Sequence, residues 1–88
     1  MICEIYSVKD ELSGHFHNPM FLASSEITEK EATRIFKSEV NNTSIWKDNP
    51  HDFTLYYLGA FDTETGNFNC EKKEIINGSA VKGEKWQK

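Results

Sequence analysis

The chain has 88 residues, a mass of 10.2 kDa and a formal charge of -4, so it holds one small domain. With 12% aromatic residues, 5 Gly and 2 Pro, it is not collagen-like, low-complexity or fully disordered. No apolar run approaches the roughly 20 residues of a membrane span, and the first ten residues lack the basic flank and apolar stretch of a signal peptide.

Ile2 to Val8 is rich in β-branched and aromatic residues and predicts a strand. Asp10 to Gly14 carries turn chemistry, with Asp and Ser oxygens and a Gly for positive φ. The chain then returns from His15 to Ala23. Pro19 interrupts this return, so the strand is expected to be irregular or to lie at an edge. A helix follows. Thr28 and Glu31 have the spacing of a capping box, and Ala32, Ile35, Phe36 and Val40 form one apolar stripe. Asn41-Asn42 ends it. Thr43 to Asp52 reads as a loop whose Ile45 and Trp46 fold down onto the core.

Phe53 to Phe61 is the strongest strand. Asp62 to Gly66 repeats the Asp-x-x-(Ser/Thr)-Gly turn, and Asn67 to Ile76 forms the return strand. Asn77-Gly78 is a further turn. The predicted fold is α+β, in the order ββ-α-ββ: a small antiparallel sheet from two hairpins with one helix packed on one face. Residues 1–80 form the single domain, and 81–88 a flexible basic tail. Residues 1–70 carry five basic and eleven acidic side chains, a balance of -6, while 71–88 carry five lysines and three glutamates, or +2.

Strict alternation along Phe53 to Phe61 places Phe53, Leu55, Tyr57, Gly59 and Phe61 on one side, and Thr54, Tyr56, Leu58 and Ala60 on the other. Both sides are largely apolar, and one helix covers only one of them. The second is expected to be covered by the Ile45–Trp46 loop, by the tail with Trp86, or by a second copy in a homodimer. Trp46, Tyr56, Leu58 and Trp86 are the candidate interaction residues.

No pattern assembles a reaction centre, so the chain reads as non-enzymatic, with no catalytic residue and no cofactor. His15, His17 and His51 lack metal-ligand spacing. Cys3 and Cys70 read as small buried apolar residues of a reducing compartment. Strand aromatics (Tyr6, Phe16, Phe21, Tyr56, Tyr57, Phe68) read mainly as core. In an alternative reading, sheet aromatics together with Lys72, Lys73, Lys82, Lys85 and Lys88 bind single-stranded DNA. The acidic body opposes that reading.

Several stretches resemble the nonstructural protein of gokushovirus-type microviruses, which are small single-stranded DNA phages. They are Ile5-Tyr6-Ser7-Val8-Lys9-Asp10, Asn18-Pro19-Met20-Phe21, and Glu31-Ala32-x-Arg34-x-Phe36. The most specific block is Pro50-x-Asp52-Phe53-x-Leu55-Tyr56-Tyr57-Leu58-Gly59-x-Phe61-Asp62 with Thr65-Gly66, and Ile76-Asn77-Gly78 follows. The resemblance spans about residues 2–80. It implies a protein made in the cytoplasm of the infected bacterial host and left out of the virion. It also implies a link to replication or packaging of the DNA genome, and for some members DNA binding. The function expected is protein–protein binding, with a phage replication or assembly protein or a host replication protein as partner. No membrane role is expected.

Overall fold

The computed structural model describes residues 1–81. Its elements run β1 (Ile2–Asp10), β2 (His15–Phe16), β3 (Met20–Ala23), α1 (Thr28–Asn42), α2 (Ser44–Asp48), a 3-10 turn (Pro50–Asp52), β4 (Phe53–Asp62) and β5 (Phe68–Asn77). They form one antiparallel sheet in the order β2-β1-β4-β5. The strand β3 pairs with β1 along the same edge as β2. The expected α+β architecture is therefore present. The return from Gly14 is two short strands in line, because Pro19 has no N–H to give the ladder.

Both hairpin turns are built alike. In each, the Gly N–H donates to the carbonyl of the Asp four residues earlier, at 2.8 Å: Gly14 to Asp10 and Gly66 to Asp62. The Asp carboxylate accepts the N–H two residues on, from Leu12 at 3.0 Å and from Glu64 at 2.9 Å. Ser13 and Thr65 accept likewise from His15 and Asn67. The two glycines sit at φ 79° and 78°, where a Cβ is strained.

One side of the sheet meets α1. Tyr6, Val8, Phe53 and Leu55 from the sheet bury against Ala32, Phe36 and Val40 from the helix. Trp46 stacks on Phe53 at 4.7 Å between ring centroids and also reaches Phe36. The loop predicted at Thr43 to Asp52 thus folds onto the core through Trp46, as a short helix and a 3-10 turn, while Ile45 points to solvent. Val81, placed in the tail by the sequence division, is buried in this core. Residues 82–88, with the basic tail, lie outside the described residues.

Two local expectations are corrected. There is no capping box, because Thr28 is already inside the helix. Its hydroxyl accepts the Ser25 N–H at 2.7 Å and donates to the Ala23 carbonyl at 2.9 Å, and Glu31 turns outward to Arg34 at 2.6 Å. The Ser25 hydroxyl takes the Ile27 N–H instead. The cysteines are not buried: Cys3 is half-buried and Cys70 exposed, since both lie on the side of the sheet that the helix leaves open.

Candidate interaction surface

Strand register decides which side chains share a face, because partners directly across an antiparallel ladder point the same way. Tyr6 pairs with Tyr57 and Val8 with Leu55, which fixes the helix-side face. The neighbours on the other face are Ile5 opposite Phe21 and Gly59, Ser7 opposite Tyr56, Lys9 opposite Phe16 and Thr54, and Cys3 opposite Phe61. Phe61 in turn lies across from Phe68, and Gly59 from Cys70. No described element packs over this face; α1 and α2 lie on the other.

Strict alternation along β4 fails at one point. The register against β1 slips between Ile5 and Tyr6, so Tyr57 and Gly59 face consecutive residues and Leu58 is extra. This bulge brings Phe61 to the side of Tyr56. A second irregularity acts on the edge. Phe16 and Phe21 are five residues apart, an odd number that a regular strand would send to opposite faces. The break at Pro19 puts both on the open face.

The face has two halves. In one, Phe61 packs on Phe68 with centroids 4.8 Å apart, and Cys3, Ile5, Phe21 and Cys70 lie beside them. Phe21 is 52% and Phe68 62% exposed, whereas Ile5 is buried. In the other half, Phe16 stands edge-on to Tyr56 at 5.4 Å, and the Lys72 ammonium lies 5.8 Å from the Phe16 ring. Here the buried polar groups are satisfied. The Ser7 hydroxyl donates to the His17 carbonyl at 2.5 Å. The Thr54 hydroxyl donates to Glu11 at 2.7 Å and accepts from Asn77 at 2.8 Å.

The residues singled out from sequence are not brought together. Tyr56 is on the open face and Leu58 is the half-buried residue of the bulge. Trp46 belongs to the helix side, where it packs on Phe53 and His17. Trp86, Lys82, Lys85 and Lys88 lie outside the described residues. Lys72 and Lys73 do not form one patch, since Lys73 lies over Tyr57 on the helix side at 5.6 Å. Reading the strand aromatics as core holds for Tyr6, and Tyr57 packs against the core. It fails for Phe16, Phe21 and Phe68, which are exposed. Their parity relative to Tyr56 was the signal, and it was hidden by the bulge and the Pro19 break.

Hydroxyl chemistry on the helix side is structural. The Tyr6 hydroxyl donates to Glu4 at 2.7 Å, and Ser24 donates to the other oxygen of that carboxylate at 2.7 Å. Burial, then the bond to Glu4, push the Tyr6 phenol well above its ordinary value. Burial, then the charges of Glu4 and Glu71, raise Tyr57 as well. A cleft of about 150 Å³ opens where the edge strand breaks, lined by Tyr6, Val8, His17, Phe36 and Trp46, with room for one side chain. Among the described residues no three His, Cys, Asp or Glu groups could hold a metal ion, and no helix is long and apolar enough to cross a membrane.

These features define a two-layer α+β protein: a helix on one sheet face, and aromatic side chains in water on the other. Residues 3–81 match the family model described as Phage ORF5 protein, and the chain belongs to that family. No curated protein and no solved structure matches the chain.

Proposed function

We propose that this phage protein is a non-enzymatic, nonstructural factor of a microvirus-type phage. It acts in the cytoplasm of the infected host and assists replication or packaging of a single-stranded DNA genome by binding protein. The partner is a phage replication or assembly protein or a host replication protein. The observation that supports this reading is the open sheet face. Large apolar side chains left together in water mark association surfaces in small soluble domains, and Phe16, Phe21 and Phe68 are such side chains on one face. The acidic body adds to it, because a net charge of -4 favours a basic protein over a polyanion.

The test is affinity capture of the full chain from infected cells. The expected result is co-purification of a phage or host protein, lost in the Phe21→Glu, Phe68→Glu double variant. Recovery of DNA without protein overturns the reading.

A second reading, direct binding of single-stranded DNA, is favoured by one contact. Lys72 over Phe16, beside Tyr56, is an aromatic–lysine grouping of the kind on which bases stack. It ranks second because Glu74 lies across from Tyr56 on the same face and Lys73 faces the other way. Fluorescence anisotropy with a labelled oligonucleotide at about 50 mM salt decides it. Affinity that falls steeply with salt and weakens on removal of residues 82–88 supports DNA binding. No binding ends it.

A further inference from the structure

We propose that the open sheet face is closed by a second copy of this chain. The two sheets stack face to face about a two-fold axis that lies parallel to the sheet planes, midway between them, with α1 of each copy outward. This rests on the reading above only in taking the face as a protein-binding surface; it names the protein.

Three observations choose this occupant. The first is charge. Around Phe61 and Phe68 the face presents Cys3, Ile5, Phe21 and Cys70, with no acidic or basic side chain among them. In the other half Lys9 is tied to Glu11 at 3.6 Å, and Lys72 is balanced by Glu74. The face is thus neutral as well as apolar on a molecule of charge -4. Neither a polyanion nor a strongly basic surface finds an excess of opposite charge there; the acidic charge that suits a basic partner lies off this face. Its match is another neutral apolar surface, and the face itself is one. A two-fold axis lays such a patch on its own copy.

The second is area. Four strand positions about 4.8 Å apart and roughly eight residues long at about 3.3 Å each give a face of roughly 500 Å² in flat projection. The accessible area is larger, because side chains stand off the sheet. Stable interfaces remove about 600–1,000 Å² per partner, so one face reaches what a dimer needs. Sheets packed this way lie about 10 Å apart, which suits the Phe21 and Phe68 rings as interdigitating groups.

The third is the edge. Pairing through β5 is the other simple route to a dimer, but Lys72 and Lys73 stand at the middle of that strand, where lysines blunt an edge. Association by the face needs no such pairing.

The experiment is light scattering behind gel filtration on the full chain, from micromolar to millimolar concentration, with thiol labelling of Cys70 in a Cys3→Ser background. The expected mass is twice the 10.2 kDa of the chain, and Cys70, exposed in the single chain, labels slowly at high concentration. The Phe21→Glu, Phe68→Glu variant should run at half that mass and label at least ten times faster, with an unchanged far-ultraviolet dichroism spectrum. A 10.2 kDa species at every concentration overturns the dimer. So does a wild-type dimer that the double variant leaves intact. If the chain is a monomer but the variant still loses a phage or host protein in the affinity capture, the dimer fails and the protein-binding reading stands. If the wild-type chain shows neither a dimer nor a captured phage or host protein, both fail.

Discussion

At the scale of single residues, the two turns and one phenol carry the clearest consequences. Gly66 holds φ 78° with open space where a Cβ would go, so the cost of a side chain there is conformational and not steric. Gly66→Ala should lower stability by about 1–2 kcal/mol, read from urea unfolding, and Gly14→Ala should match it because the turns share their hydrogen bonds. Gly59 differs: a Cβ would run into the Asn69 carbonyl, so the β4 bulge depends on the missing side chain. Tyr6 gives a pH dependence. Its folded-state pKa is raised above the ordinary value of a tyrosine phenol, so the native state holds its proton more tightly than the unfolded chain does. Stability is therefore full below about pH 10 and falls as pH rises above it. Tyr57 shifts the same way. Tyr6→Phe should cost about 1 kcal/mol at neutral pH through the lost bond to Glu4, and should flatten the alkaline limb of a dichroism titration without abolishing it.

Among the elements, α1 is held by packing more than by its ends. No side chain caps its N-terminus, and its last turn carries no basic residue. What fixes it is the stripe of Ala32, Phe36 and Val40 against the sheet, with Trp46 closing the far side. Phe36→Ala removes the largest helix side chain of that core and should cost about 3–5 kcal/mol. In a domain this small that is enough to leave little folded protein in a thermal melt. The stripe was legible in sequence because a 3.6-residue period needs no partner to be seen. The capping-box spacing misleads for the opposite reason. Its spacing is present, but the Ser25 N–H and the Ala23 carbonyl engage the Thr28 hydroxyl, and both belong to the link from β3.

For the whole molecule, the consequence is how stability depends on concentration. A dimer formed by the native chain alone couples folding to association, so the melting temperature should rise with protein concentration. Differential scanning calorimetry over a hundredfold range should show this rise in the wild type and lose it in the Phe21→Glu, Phe68→Glu variant. Outward in that dimer are two copies of α1, on which Glu29, Glu31 and Glu39 are matched in number by Lys30, Arg34 and Lys37. The Lys72, Phe16 and Tyr56 cluster falls inside the covered region, which sets the DNA-binding reading and the dimer in direct competition for one face.

The two turns, the helix, the strong strand and the α+β class are all readable from the order of residues alone. Each is set within a few residues, by a side-chain oxygen beside its own backbone, by a glycine φ, or by a repeating apolar period. The order of residues also shows that β4 is apolar on both sides, so one face of the sheet would need cover. Which aromatics lie on the open face emerges only once the strands are paired. Alternation gives the side of a residue relative to its neighbours, and one inserted residue reverses it. The Leu58 bulge and the Pro19 break each make one such reversal. They gather Phe16, Phe21, Phe61 and Tyr56 on the side away from α1, because the cross-strand hydrogen bonds that set register join residues far apart in the chain.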